Sequence, residues 1–101
     1  MDIGYIRVST FDQNTARQNT AFEKVRLDKV FEDKASGKDV HRPELERCLE
    51  MLREGDVLHV HSIDRLARNL QDLLSLLSAL TERGVTVTFH KENLTFTPDK
   101  E

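Results

Sequence analysis

Four arginines and one serine stand where their types and spacing suggest chemistry. In Tyr5-Ile6-Arg7-Val8-Ser9-Thr10, period-2 alternation places Tyr5, Arg7 and Ser9 on one side of an extended segment. A long cation two residues before a hydroxyl is poor core material. In Ile63-Asp64-Arg65-Leu66-Ala67-Arg68, Arg65 and Arg68 are one helical turn apart and face the same way if a helix has begun there. Arg42 adds a further position, just before Pro43. Arginine keeps its charge and offers a planar fork of donors matched to phosphate oxygens, whereas a serine hydroxyl is a weak nucleophile until its proton is taken and the developing charge is stabilised. Phosphoryl transfer needs positioning and neutralisation, and several fixed arginines supply both. The spacing suggests attack by Ser9 on a phosphodiester.

These residues need elements to carry them. Residues 3 to 8 are β-branched and aromatic and run into a polar loop, so they read as a strand. Residues 15 to 26 read as a helix with Asn14 as N-cap. Val30-Phe31 lead into the small and polar run 32 to 39, a loop. Pro43 suits the first turn of the next helix, Glu44 and Glu46 complement its dipole, and Gly55 provides a stop. Leu45, Cys48, Leu49 and Leu52 give that helix one apolar face, with Cys48 as core filler. Val57, Leu58 and Val60 form a third strand, and a leucine-rich helix runs from 69 to 82 before Gly84. Val85, Val87 and Phe89 alternate as a half-buried fourth strand near an edge, and residues 91 to 101 form a short strand or tail. This βαβαβαβ order implies an α/β fold: three layers, a mostly parallel sheet of flavodoxin-like order 2-1-3-4 with room for a fifth edge strand, and helices on both faces. The carboxyl ends of strands one and three then flank the functional crevice.

Composition narrows the class. The chain has 101 residues, 38% hydrophobic and 33% charged, which suits one small globular domain and excludes collagen-like or membrane-embedded chains. A formal charge of -3 is not the basic balance of a domain that holds nucleic acid by bulk electrostatics. The single cysteine excludes an internal disulfide framework. No apolar run approaches the roughly 18 residues of a membrane span, and the amino terminus has no signal pattern, so a cytoplasmic location is expected.

Five motifs, in order, then carry a resemblance: Tyr5-Ile6-Arg7-Val8-Ser9-Thr10 with Gln13, Asp33-Lys34-Ala35-Ser36-Gly37, Asp39-Val40-His41-Arg42-Pro43-Glu44-Leu45, Gly55-Asp56, and Asp64-Arg65-Leu66-Ala67-Arg68. Together they resemble the N-terminal catalytic domain of serine site-specific recombinases of the resolvase/invertase family, over residues 3 to about 97. The resemblance implies that Ser9 attacks a DNA phosphodiester to form a 5′-phosphoserine link and release a 3′-hydroxyl, with no metal and no cofactor. It implies that Arg7, Arg65 and Arg68 bind the scissile phosphate, with Arg65 also a proton donor to the leaving oxygen. Arg42 adds charge from the loop side, and Asp64 orients an arginine or manages a proton. Tyr5, Gln13, Gln18, Ser36 and Asp56 take supporting roles.

The chain departs from the family at Ala67, where members commonly carry glycine, a difference that matters if that residue needs φ > 0. Family members also continue into a long assembly helix and a DNA-binding region. The expectation is therefore a catalytic domain at 1-97 and a tail at 98-101, with the oligomerisation helix and the DNA-binding domain absent from this chain. Such a chain is expected to be a monomer that does not recombine DNA alone, whereas the full-length protein forms a homodimer on DNA and a homotetramer in the synapse.

Blander readings compete. The arginines could be an ordinary solvated surface paired with Asp64 and nearby glutamates. His59 and His61 share one strand face and could ligate a metal, but no third ligand is spaced for it, which favours structural or surface histidines. The leucine-rich helix reads as core rather than as a partner surface. The rival of another class is a catalytically inactive flavodoxin-like interaction or signalling domain. A phospho-acceptor module of that kind needs paired acids after strand one, where this chain has Arg7-Val8-Ser9.

Overall fold

In the computed structural model, the chain is described at residues 1–9, 26–35, 43–67 and 69–98, with the backbone alone at 8, 9, 34 and 35. The elements run β1 (Asp2–Ser9), β2 (Lys29–Ala35), α1 (Pro43–Met51), β3 (Val57–Val60), α2 (Ile63–Leu66), α3 (Leu70–Glu82), β4 (Thr86–Phe89) and β5 (Leu94–Phe96). They build one sheet of order β2-β1-β3-β4-β5. The first four strands are parallel and β5 pairs antiparallel with β4. This is the expected 2-1-3-4 order with a fifth strand at the edge. The helix read at 15 to 26 falls almost wholly outside the described residues.

Strand alternation decides which side chains meet. Ile3 and Tyr5 share a face with their register partners Phe31, Leu58 and Val60, and with Val87 and Phe89 beyond them. All seven are buried, and Leu45 and Cys48 of α1 join Leu73, Leu77 and Leu80 of α3 in the same cluster. Each such large apolar side chain contributes about 1.5–3 kcal/mol when fully buried. That α1 and α3 share a face follows from handedness: the β2-to-β3 and β3-to-β4 connections cross the sheet in the same direction, and right-handed crossovers put both on one side. Ile6 and His59 are buried on the opposite face. Burial also pushes the Cys48 thiol up to about 12, so it is a core group rather than a nucleophile.

The run 32 to 39 reads as a loop in the sequence, yet β2 extends through Ala35, because Glu32 to Ala35 pair in register with Ile6 to Ser9 of β1. Three further details differ from the sequence reading, each for a tertiary reason. The first is that α1 ends at Met51, four residues before Gly55. There the Arg83 guanidinium donates to the carbonyls of Leu49 and Leu52, while Asp56 accepts the N–H of Arg53, so the last carbonyls find partners outside the helix. The second is that helix breaks between Leu66 and Leu70. Ala67 is extended (φ -123, ψ 149), and Asn69 restarts α3 as its N-cap by accepting from Asp72 N at 2.8 Å. The helix that carries Arg65 thus ends at Leu66, and the expected one-turn pairing with Arg68 lies outside the described residues. The negative φ also removes any need for glycine at Ala67. The third is that β4 is interior: β5 covers its flank, with Phe89 and Phe96 in an edge-to-face contact at 5.9 Å. Gly84, at φ +82, closes α3 in the left-handed conformation that favours glycine.

Candidate active site

The strand order reverses at β1, so the carboxyl ends of β1 and β3 flank a crevice. Pairing between them stops at Tyr5 and Val60, while β1 continues to Ser9. Beyond Tyr5 that flank of β1 is taken by α2, and Arg65 Nη1 donates to the carbonyl oxygen of Arg7 at 3.2 Å. Two cations 58 positions apart in sequence are thus brought to one strand end. Both are half-buried, which strengthens their pull on an anion relative to open water. Ser9 is the last residue of β1, its backbone in register with Ala35.

The other flank of β1 is organised by Asp33, which lies in register with Arg7 on β2 and is 3% exposed. Its Oδ2 accepts from Tyr5 Oη at 2.9 Å and from Leu45 N at 2.9 Å, and its Oδ1 accepts from Glu44 N at 3.0 Å. One carboxylate thus satisfies two orphan donors at the start of α1 and the hydroxyl of a fully buried tyrosine. Arg42 directly precedes the residue where that helix starts. Arg42, Arg68, Gln13, Gln18 and Ser36 lie outside the described residues.

Asp64 sits exposed on α2. A hydrogen bond from the Ser62 side chain, with help from its own backbone N–H, Arg65 and Lys91, holds its carboxyl below the usual range against some desolvation. It is therefore ionised at neutral pH. Asp56 is not part of this assembly. It precedes β3, at the amino ends of the strands, where it accepts from the Met1 amine at 2.9 Å and Arg53 N at 2.8 Å. An open cleft of about 470 Å³ is lined by Asp64 and Glu92 with Ile63, Ala67, Leu70 and Leu73 among its walls, but neither Arg7 nor Arg65 lines it.

Residues 2–101 match the family described as "Resolvase, N terminal domain". The chain belongs to the resolvase family. This resolvase-family chain is 59% identical over 95 residues to the Transposon Tn501 resolvase of Pseudomonas aeruginosa, covering 94% of the chain and 50% of that protein. It is 49% identical over 85 residues to a DNA-invertase of Escherichia phage P1, covering 84% of the chain and 46% of the invertase. The chain thus spans about half the length of these relatives. A crystal structure of a resolvase family site-specific recombinase from Streptococcus pneumoniae superposes with a TM-score of 0.75 at 19% identity, over 99% of this chain and 79% of that one, a likeness of fold.

The sequence reading placed Asp33 in a loop and missed it as a site residue, although it heads the second of the five motifs; its place opposite Arg7 is set by the sheet register. In this resolvase-family chain His59 and His90 find structural partners, whereas His61 Nδ1 is buried without a hydrogen-bond partner among the described residues. His59 Nε2 and Asp2 Oδ1 are 3.0 Å apart, and His59 Nδ1 meets His90 Nε2 at 3.0 Å. Burial, with the neighbouring His59 and His61, lowers the His90 pKa. Among the described residues, no three His, Cys, Asp or Glu side chains are grouped to hold a metal ion, and no helix is long and apolar enough to cross a membrane.

Proposed function

We propose that this chain is the catalytic domain of a site-specific DNA recombinase in which Ser9 is the nucleophile. The observation that carries the reading is the bond from Arg65 to the carbonyl of Arg7, which sets two guanidinium-bearing residues at the strand end where Ser9 stands. Ser9 Oγ attacks the phosphorus of a DNA phosphodiester, losing its proton as the phosphorus–O3′ bond breaks. The departing 3′-oxygen takes up a proton, and the 5′-phosphate stays on Ser9 as an ester. Attack by another 3′-hydroxyl reverses the step, so strands are rejoined with no external energy source. As charge builds on the non-bridging oxygens, Arg7, Arg65 and Arg68 neutralise it, and Arg42 adds to their field. Arg65 donates the proton to the leaving oxygen, and ionised Asp64, next to it in the chain, orients the arginine pair. Tyr5, Gln13, Gln18 and Ser36 support this arrangement, whereas Asp56, at the amino ends of the strands, has no part in it.

A cytoplasmic location, a homodimer on DNA and a homotetramer in the synapse belong to the same reading, as does a monomeric state for residues 1–101 alone. The likeness at 49–59% identity to a transposon resolvase and a phage DNA-invertase supports it. The test is to trap the covalent protein–DNA adduct of the full-length protein, with its assembly helix and DNA-binding region, on a nicked crossover-site substrate. Wild-type protein is expected to yield an adduct through its 5′-phosphate, and Ser9→Ala none; an adduct that persists in Ser9→Ala overturns the assignment.

A further inference from the structure

The placement of Arg65 poses a physical problem, because α2 has four residues and a helix that short does not hold itself. Its capping residue, Ser62, is extended (φ -149, ψ 161) but makes no side-chain cap bond among the described residues. The Ser62 hydroxyl turns instead to Asp64. The first donor of α2, Ile63 N, is taken from outside: Glu92 Oε1 accepts it at 3.2 Å, across 29 positions of sequence. Glu92 reaches that point from a braced platform. His90 N donates to Val60 O at 3.0 Å and Lys91 N to His61 O at 2.7 Å, which extends the β3–β4 ladder past the end of both strands. Asn93 then reverses the chain at φ 55 into β5. The far end of α2 is fixed by burial of Leu66 and Ala67. Arg65 lies between these two anchors.

We propose that Glu92 is a positioning residue for the cleavage step, holding the start of α2 so that Arg65 keeps its place against Arg7; this rests on the recombinase reading above. Glu92 touches neither reacting atom. Its carboxylate replaces the missing cap, and its loss frees Ile63 N–H and lets α2 pivot about Leu66. Misplacement of a catalytic group by about 1 Å can cost up to about 100-fold in rate.

The test measures Ser9–DNA adduct formation by the full-length protein carrying Glu92→Ala or Glu92→Gln. In Glu92→Ala the rate at saturating DNA is expected to fall about tenfold, with DNA affinity changed less than about twofold. Glu92→Gln keeps an acceptor oxygen and restores most of the rate. A wild-type rate in Glu92→Ala, a loss confined to DNA affinity, or a Glu92→Gln variant as slow as Glu92→Ala overturns the proposal. The Ile63 amide exchange rate and the Arg65 guanidinium resonance give a second readout that needs no DNA. Both are expected to change in the folded Glu92→Ala protein, and unchanged values overturn the proposal. Should Glu92→Ala not fold, the same two signals are read in Glu92→Gln, where retention of wild-type exchange at Ile63 is expected and its loss counts against an acceptor role. If the wild-type protein forms no Ser9-dependent adduct, the recombinase reading fails, and those two signals still decide whether Glu92 holds α2.

Discussion

Asp33 and Asp56 are both buried aspartates, and they hold opposite ends of the same sheet in different ways. Asp33, at the carboxyl end, accepts from three donors that come from β1 and α1, 11 to 28 residues away. Asp56, at the amino end, accepts one donor from three residues away and one from the ammonium of Met1, a residue whose side chain is 45% exposed. The difference teaches that burial of the carboxylate alone does not set its worth. What counts is how many donors it leaves stranded on removal, and whether water can replace it.

The comparison breaks most readily at Asp33. Asp33→Ala leaves the Tyr5 hydroxyl and two helix N–H groups without their acceptor, at a cost of about 3–5 kcal/mol, measurable as a shift in urea midpoint at unchanged slope. A loss below about 1 kcal/mol contradicts the view that these donors lie beyond the reach of water. Tyr5→Phe removes one donor and leaves Asp33 with two, so it should cost about 1–1.5 kcal/mol by the same measurement. A near-additive pair of Tyr5→Phe and Asp33→Ala would show that the contact is not shared; strong non-additivity is expected.

Asp56 tests the other end through pH. The hydrogen bond from the amino terminus, with the Arg53 N–H, holds its carboxyl below its ordinary value of 3.8, and the same contact raises the Met1 amine above its ordinary 8.0. The carboxyl is lowered on folding, so its contribution is present above its unfolded value and lost as pH falls through the folded one. The amine is raised, so its contribution is present below 8.0 and lost as pH climbs through the folded value. Asp56→Asn should flatten both limbs of a stability–pH curve, and a wild-type curve in that variant contradicts the pairing. The smallest effect is expected at His90, whose pKa is lowered by burial. Its contribution is present above about 6.5 and declines as pH falls from there toward the folded value, a step that His90→Gln should remove from the urea midpoints between pH 7 and 5.

Much of the scaffold was legible from local pattern. The alternation of Val85, Val87 and Phe89 announced an inward row, and the leucines at 73, 77 and 80 announced a helix face, because strand and helix periods are properties of near neighbours. Element order and handedness point to a parallel sheet; the order 2-1-3-4 rests on its being flavodoxin-like, and residues 91 to 101 stay open between a short strand and a tail until β5 is seen. The site was legible in part: Arg7 and Arg65 do meet, although through a main-chain carbonyl that no spacing could reveal. The end of α1 was misplaced because Arg83, more than thirty residues downstream, caps it. The break at Ala67 was invisible because alanine favours helix, and there the burial of Leu66 and Ala67 and a fresh N-cap at Asn69 outweigh that preference.

The sequence alone carried the βα alternation, the apolar faces of α1, α3 and β4, and the Arg–Ser and Asp–Arg motifs at the ends of two strands. All depend on residues within a few positions of one another. Only the tertiary structure decided that Asp33 rather than a local residue caps α1, that Asp56 stands apart from the arginines, and that Glu92 holds the corner bearing Arg65. Those contacts join groups 11 to 55 residues apart, and they form because packing leaves one acceptor within reach of each stranded donor.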